Sequence, residues 1–274
     1  MRTLKIALIV VVLLAIFFKY EDLPTLKTTV DKELLGTKGT YAIYIRNLKT
    51  EEKYTLNGDL VFEPGSLYKL WVMGAIFEKI KRGELEENAI LEQKIDILNQ
   101  KFEIGSEEAE LTGGTISLAV KSALEQMTTI SHNYAALLLT ENVGVSKLKI
   151  FLEQNGFNKS NVNPPKTTAI DIGLFFEKLY RGELVGKEES KKMIEIMKKQ
   201  KLNEGLPKYL PKNIQVAHKT GDIGWFKHDG GIVFPPKGDY IIIVMSKSNS
   251  PSGAQKRIAS VSKAVYEYFE KSKN

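Results

Sequence analysis

Ser66 and Lys69 have the residue types and the spacing that nucleophilic chemistry requires. A serine hydroxyl attacks an acyl group when a neighbouring base accepts its proton, and a lysine three residues further along a helix lies on the same face. The preceding Glu63-Pro64-Gly65 predicts a turn that leaves Ser66 at an exposed helix start, where backbone N–H groups stabilise developing negative charge. The pair therefore predicts a serine nucleophile activated by a lysine.

The Ser-x-x-Lys spacing is not specific by itself, because it also occurs from Ser146 to Lys149 and from Ser260 to Lys263. Ser146 follows a glycine and is typical of a helix cap, while Ser260 lies within a predicted helix near the C-terminus. Only Ser66 combines a Pro-Gly entry with a helix apolar enough to be buried. Taken alone, Ser66 could equally be a helix cap.

Ser131-His132-Asn133 is the second candidate segment, and it opens another predicted helix. A serine and an asparagine two residues apart at a helix start can point to one side, where they supply a proton relay and an amide hydrogen bond. The alternative interpretation is helix capping.

His218-Lys219-Thr220-Gly221 is the third candidate segment, at the end of a predicted strand. Lys219 supplies a positive field, Thr220 a hydroxyl for an anionic ligand group, and Gly221 permits close backbone approach. The alternative here is a strand end followed by a turn glycine.

Strand patterns at both ends of the chain enclose a middle with helical periodicity, which predicts an α+β fold. We expect an antiparallel sheet built from the N- and C-terminal segments, an inserted all-helical lobe, and a site in the cleft between them. The predicted strands are Tyr41 to Arg46, Lys53 to Leu56, Ile214 to Lys219, Gly231 to Phe234 and Tyr240 to Ser246. The predicted helices are Ser66 to Arg82, Ile116 to Met127, His132 to Leu139, Lys147 to Asn155, Ala169 to Arg181, Lys187 to Lys199 and Gln255 to Phe269.

Composition restricts the class of protein. With 274 residues, 43% of them hydrophobic, the chain can bury one substantial core. We expect a single catalytic domain at residues 21–274, with an α/β lobe from 38–62 and 205–274 and a helical lobe from 63–204. The 39 basic and 33 acidic residues are mixed along the chain, which argues against nucleic-acid binding.

No cysteine is present, which excludes thiol catalysis, cysteine-based zinc sites and disulfides. The three histidines lack matching carboxylate spacing, so we predict no metal and no cofactor. We expect a monomer.

The first twenty residues predict export, because Arg2 and Lys5 precede an apolar run from Ile6 to Phe18. This run covers about 20 Å, less than the roughly 30 Å of a bilayer core. A cleaved signal peptide would fit this length, yet no small-x-small cleavage site follows. Residues 1–20 are therefore predicted to be a signal peptide or an uncleaved anchor. The domain would lie at the outer face of the cytoplasmic membrane, or be secreted or periplasmic if cleavage occurs.

The order Ser-x-x-Lys, Ser-x-Asn, Lys-Thr-Gly is shared by class A β-lactamases and penicillin-binding proteins. From about Lys38 to Phe269 the chain resembles the class A β-lactamase-related serine hydrolases. The similarity extends to residues 128–139, 166–183 and 228–233. The resemblance implies a three-layer α/β/α fold of the β-lactamase/transpeptidase type.

The resemblance also implies roles for the three segments. Ser66 would be acylated, Lys69 would take its proton, and Ser131 would relay a proton to the leaving nitrogen. Asn133 would bind the substrate's side-chain amide, and Lys219 and Thr220 would bind its carboxylate. The backbone N–H groups of Ser66 and Asp222 would form the oxyanion hole.

One departure from the family concerns breakdown of the acyl-enzyme. Family members that hydrolyse penicillins quickly carry a loop Glu that activates water, whereas between Glu153 and Glu177 the only acid here is Asp171, in the next predicted helix. The loop from Gly156 to Lys166 is also short. Without a general base, deacylation slows by about two to four powers of ten.

Other departures concern histidines. His132 replaces the family's usual Asp, and His218 is a candidate for tuning Lys219. Either His228 or Lys227 is a candidate for carboxylate binding.

Three functions follow from these observations. The first is a β-lactam-hydrolysing serine enzyme with slow deacylation, which the overall organisation favours. The second is a D-alanyl-D-alanine peptidase acting on peptidoglycan peptides, which the missing loop Glu favours. The third is a module that binds β-lactams covalently without hydrolysis.

Overall fold

The computed structural model describes residues 24–271. The predicted signal or anchor at residues 1–20 lies outside the described residues. Within residues 24–271, no helix has both the length and the apolar character needed to cross a membrane.

A five-stranded antiparallel sheet forms the centre of the molecule, in the order β2-β1-β9-β8-β7. Its strands are β1 (Thr40–Asn47), β2 (Lys53–Leu56), β7 (Gln215–Ile223), β8 (Phe226–Phe234) and β9 (Tyr240–Lys247). Strand β9 is apolar on both faces and buried on both faces, as expected of a central strand. The predicted hairpin and the sheet built from both ends of the chain are confirmed.

Helices cover both faces of the sheet, which gives three layers. Helices α1 (Leu26–Leu34) and α9 (Pro251–Lys271) pack on one face, in a core that includes Val30, Ile242 and Ile258. The other helices belong to the inserted lobe on the opposite face and are α2 (Lys69–Lys81), α3 (Ile95–Lys101), α4 (Val120–Thr129), α5 (Asn133–Val143), α6 (Val145–Gln154), α7 (Ala169–Arg181) and α8 (Lys187–Lys198). Trp71 and Phe175 are among the large side chains of this second core.

The inserted lobe is mainly helical, but it contains two short ribbons that the sequence reading did not predict. In one, β3 (Ile90–Lys94) pairs antiparallel with β4 (Thr115–Ala119). In the other, β5 (Asn161–Val162) pairs antiparallel with β6 (Pro165–Lys166). The helix predicted from Ile116 therefore begins at Val120. Ile116 and Leu118 are less exposed than Thr115 and Ser117, which is the period of a strand. Because the helical pattern follows without a break, the sequence does not mark where the strand ends.

Candidate active site

Ser66 lies in a one-turn 3₁₀ helix, Gly65–Tyr68, that runs directly into α2. The helical start predicted at Ser66 is present, but its first turn is of the tighter type. The N-cap residue of the 3₁₀ helix is Pro64 and that of α2 is Tyr68, and neither makes a side-chain capping hydrogen bond. Ser66 occupies neither position, so the interpretation of Ser66 as a cap is wrong. Ser66 is half-buried. Its hydroxyl is thus available for chemistry.

Two glycines bring the turn before Ser66 into backbone contact with β7. Gly65 has a φ of +49°, and a Cβ built on it would lie 2.9 Å from the amide nitrogen of Asp222. A Cβ on Gly221 would lie 2.4 Å from the carbonyl oxygen of Pro64. Both positions therefore require glycine. The contact places the backbone beside Ser66 against the Asp222 amide, and Asp222 itself is exposed and ion-paired with Lys227.

Lys69 and Lys219 converge on Ser131 from helix α2 and from strand β7. The Nζ of Lys69 donates to the Ser131 carbonyl at 2.6 Å, to the Ser131 Oγ at 3.1 Å and to the Asn133 Oδ1 at 2.6 Å. The Nζ of Lys219 lies 3.1 Å from the same Oγ and 3.0 Å from the Thr220 carbonyl. Lys69 thus contacts Ser131 and Asn133 rather than Ser66. Five of the predicted site residues therefore form one hydrogen-bonded group.

Ser131 has an unusual backbone, with a φ of +58°. The side chain that caps α5 is His132, whose Nδ1 accepts from the Ala135 amide at 3.1 Å. The capping interpretation therefore holds for His132 and not for Ser131. Because His132 satisfies the helix end, the Ser131 hydroxyl is available to the two lysines.

Burial depresses the pKa of both lysines, each of which is 1% exposed. Loss of solvent lowers the pKa of Lys69 to about 8, and the nearby charge of Glu110 opposes this shift. Burial, together with the nearby charge of Lys69, lowers the pKa of Lys219 to about 7, and the charge of Asp229 opposes this shift. Near neutral pH the pair therefore holds an amine that can accept a proton.

His218 belongs to a buried polar network together with Asp229. Its Nδ1 lies 2.8 Å from the Asp229 Oδ1, and its Nε2 lies 3.0 Å from the Asn203 Oδ1. The Leu206 amide donates to the other Asp229 oxygen at 2.8 Å. The proposed tuning of Lys219 is thus exerted by Asp229, which the sequence analysis did not single out. In the sequence Asp229 follows Lys227 and His228 in a strand whose second half is apolar, and nothing local distinguishes it.

His228 anchors the segment before the nucleophile. Its Nδ1 accepts from the Ser246 amide at 3.1 Å, so its Nε2 carries the hydrogen and donates to the Glu63 carbonyl at 2.8 Å. Burial lowers the pKa of His228 to about 4, which keeps the ring neutral. The suggestion that His228 binds the substrate carboxylate is therefore wrong.

Glu110 is a cleft residue that the sequence analysis missed. It lies in the exposed segment 102–114 between α3 and β4, and its Oε1 accepts from the Asn133 Nδ2 at 2.5 Å. In the sequence it is one of several acids in this segment, among them Glu107 and Glu108, and nothing local distinguishes it.

Asp171 holds the short loop that precedes α7. Its Oδ2 accepts from the Lys159 amide at 2.9 Å and from the Ser160 hydroxyl at 2.8 Å. Burial raises the pKa of Asp171, and these hydrogen bonds oppose that shift. The end of the loop pairs with the segment leading to Ser66, through hydrogen bonds of 2.8 and 3.0 Å between Phe62 and Thr167. The only acid of this region is therefore engaged in holding the loop.

Comparisons with known proteins agree with this architecture. A model of the β-lactamase enzyme family matches residues 25–269. The chain is 24% identical to β-lactamase VEB-1 of Pseudomonas aeruginosa, with 95% of this chain and 97% of that protein covered. The structure matches PBP-A with a TM-score of 0.79 and 27% identity, over 90% of this chain and 96% of that one.

Two other solved structures are similar. A β-lactamase from Sphaerobacter thermophilus has a TM-score of 0.79 and 20% identity, over 91% of this chain and 98% of that one. A PBP-A mutant in an acyl-enzyme complex with penicillin G has a TM-score of 0.78 and 26% identity, with 90% and 96% coverage.

Proposed function

The chain belongs to the β-lactamase enzyme family, and we propose that it is a serine hydrolase that β-lactams acylate on Ser66 and that then hydrolyses the acyl-enzyme slowly. The observation that carries this proposal is the convergence of Lys69 and Lys219 on the Ser131 hydroxyl, beside the turn that presents Ser66. A buried pair of amines with depressed pKa values supplies the base that a serine nucleophile lacks.

In the proposed acylation, the Ser66 Oγ attacks the β-lactam carbonyl carbon and the neutral amine of Lys69 accepts its proton. The backbone N–H groups of Ser66 and Asp222 stabilise the oxyanion that forms. The ring C–N bond then breaks, and the leaving nitrogen takes the hydroxyl proton of Ser131. A lysine ammonium returns a proton to Ser131, so the charges balance.

Substrate binding in this proposal uses the other cleft residues. Lys219 supplies a hydrogen-bond donor for the substrate carboxylate, and a positive charge when it is protonated, with Thr220 as a hydroxyl donor and Gly221 giving the close backbone approach. Asn133 binds the side-chain amide through its own amide group. These roles are supported by the direct contact of Lys219 and Lys69 with the same serine.

Deacylation is the slow step in our proposal. A water molecule must lose a proton as it attacks the ester, and a missing general base costs about two to four powers of ten in rate. The loop that carries such a base in fast β-lactamases, residues 156–166 here, contains no acid. The acid that follows it, Asp171, already accepts hydrogen bonds from Lys159 and Ser160. The acyl-enzyme is therefore expected to persist.

A D-alanyl-D-alanine peptidase is the second candidate. The same acylation on Ser66 would release D-alanine from a peptidoglycan peptide, and slow turnover of β-lactams is compatible with that activity. The loop without a free acid favours this candidate over an efficient β-lactamase. A module that holds β-lactams covalently without any turnover is the third possibility.

Intact-mass measurement of the purified chain with penicillin G distinguishes these functions. Ser66→Ala should abolish the adduct, whereas Ser260→Ala removes a serine with the same spacing to a lysine, on α9, and should keep it. Slow loss of the adduct with release of the hydrolysed penicillin supports the proposal. A stable adduct with release of D-alanine from a peptide indicates the peptidase, and a stable adduct alone indicates the binding module. If no adduct forms on Ser66, the proposal is wrong.

We further propose that the protein is exported as a monomer and held at the outer face of the cytoplasmic membrane by residues 1–20, or released if these are cleaved. The charges of Arg2 and Lys5 before the apolar run from Ile6 to Phe18 support this. Fractionation of cells followed by the intact mass of the recovered chain tests both outcomes. Recovery of the uncleaved chain in the cytosol would contradict the proposal.

A further inference from the structure

Asn133 links Lys69 to Glu110 through the two ends of its side-chain amide. Its Oδ1 accepts from the Lys69 Nζ at 2.6 Å, and its Nδ2 donates to the Glu110 Oε1 at 2.5 Å. An amide nitrogen carries two hydrogens, so Nδ2 can still donate to a substrate carbonyl. A carbonyl bound there would lie directly beside the Glu110 carboxylate.

The charge of Glu110 is not neutralised by an ion pair among residues 24–271. The cation that flanks its segment, Lys101, is paired with Glu141 at 2.9 Å. Glu107 and Glu108, in the same segment, are exposed acids, so the segment that contacts Asn133 carries net negative charge. The electrostatic effect of Glu110 reaches into the site, because it opposes the loss of charge on Lys69.

We propose that Glu110 is a specificity-determining residue that favours acyl donors with a cationic group next to the amide bound by Asn133. This inference rests on the proposed function of the site. An ammonium one carbon away from the bound carbonyl comes within reach of the Glu110 carboxylate and adds a charged donor to the one that Asn133 already gives it. A carboxylate at the same place would be repelled.

The substrate class is therefore an amide whose acyl side chain carries an amine. Glu110 is exposed, so solvent screens each interaction, and we expect a preference of roughly threefold for each unit of charge. Between an ammonium and a carboxylate the preference should reach about tenfold, and it should shrink as ionic strength rises.

Three penicillins with one nucleus and one phenylacetyl side chain test the inference, the side chain bearing an α-ammonium, an α-hydrogen or an α-carboxylate. The second-order rate constant for the Ser66 adduct, followed by intact mass, should fall in that order. Glu110→Gln keeps an acceptor for Asn133 but removes the charge, and should make the three rates similar. Glu108→Gln removes the same charge from the same segment without a contact to Asn133, and should preserve the order.

Equal rates in the unmodified protein, an order that survives Glu110→Gln, or an order lost equally in Glu108→Gln would each overturn the inference. In all three cases continued acylation would leave the proposed function standing. Absence of any Ser66 adduct with all three penicillins would instead overturn the proposed function, and this inference with it.

Discussion

The Nζ atoms of Lys69 and Lys219 lie at the same distance, 3.1 Å, from the Oγ of Ser131. A hydroxyl accepts two hydrogen bonds and donates one. When both lysines are charged, both donate to the oxygen and their charges repel each other. When one amine is neutral, Ser131 can donate to it, and a proton can pass from one side of the cleft to the other. The geometry therefore favours a site with a single shared positive charge.

The rate of acylation should depend on pH, because Lys69 accepts a proton only in its neutral form. With the pKa of Lys69 lowered to about 8, the neutral fraction rises with pH up to that value. At saturating penicillin we expect the acylation rate constant to rise by up to about tenfold per pH unit below pH 7 and to level off above pH 8. Single-turnover stopped-flow measurement from pH 6 to 9 checks this. A flat profile would argue against a lysine base.

Lys219→Met should show the cost of burying the lysine charge. Lys219 has a pKa near 7 in the folded protein and 10.5 as a free side chain. Below pH 7 Lys219 is protonated in both the folded and the unfolded protein, so the folded protein bears the full cost of a buried charge. Between pH 7 and 10.5 only the unfolded protein keeps this proton, and the free energy of unfolding rises with pH. Lys219→Met removes this penalty, so its free energy of unfolding should exceed that of the unmodified protein by about a few kcal/mol below pH 7. The difference should shrink towards pH 10.

Urea unfolding at several pH values measures this difference. Loss of the hydrogen bond to the Thr220 carbonyl subtracts a constant amount, so the slope with pH is the diagnostic quantity. Lys121→Met, at an exposed position, should change the free energy of unfolding only slightly and with little dependence on pH. A pH-independent effect of Lys219→Met would contradict the buried charge.

Gly221→Ala should disrupt the contact between β7 and the turn that carries Ser66. The new Cβ would lie 2.4 Å from the Pro64 carbonyl oxygen and 3.0 Å from the Leu67 Cγ, so the turn must move. We expect a loss of about 1–3 kcal/mol in unfolding free energy and slower acylation. Gly105→Ala has open space around its Cβ and should change stability by at most about 0.5 kcal/mol. Thermal unfolding and adduct formation measure both variants, and equal behaviour of the two would refute the contact.

Asp171→Ala should loosen the loop at residues 156–168. The change removes the acceptor for the Lys159 amide and the Ser160 hydroxyl inside the protein, which should cost about 1–3 kcal/mol and expose the loop to proteases. Asp59→Ala removes an exposed partner of the Lys159 ammonium and should cost at most about 0.5 kcal/mol. Chemical unfolding with limited proteolysis compares them. A loop that stays protected in Asp171→Ala would show that other contacts hold it.

Patterns within one element were predictable from the sequence. The helix predicted at Ala169 to Arg181 has these bounds in the structure, because its apolar period, its Thr168 cap and the following glycine all agree. The helix predicted from Ile116 was wrong in its first turn, because a short strand with its own period precedes it without a break.

Contacts between distant segments were not predictable in this way. Ser66, Lys69, Ser131 and Lys219 were identified because each lies in a short motif with recognisable spacing. Glu110 acquires its place only through a side-chain contact with Asn133, which its exposed acidic neighbours do not signal. The spacing of residues determines what shares a face of one element, while the partner of a side chain depends on how elements pack.

Strand β1 is paired along its whole length with β9, from Thr40 with Lys247 to Asn47 with Tyr240. During synthesis, β1 therefore has only the short strand β2 as a neighbour until almost the entire chain has emerged. The β7 backbone that supports the Ser66 turn also joins the sheet through β8 and β9. We therefore expect the contact that supports the Ser66 turn to form only after the C-terminal strands have been synthesised, so that a shorter growing chain lacks the complete site.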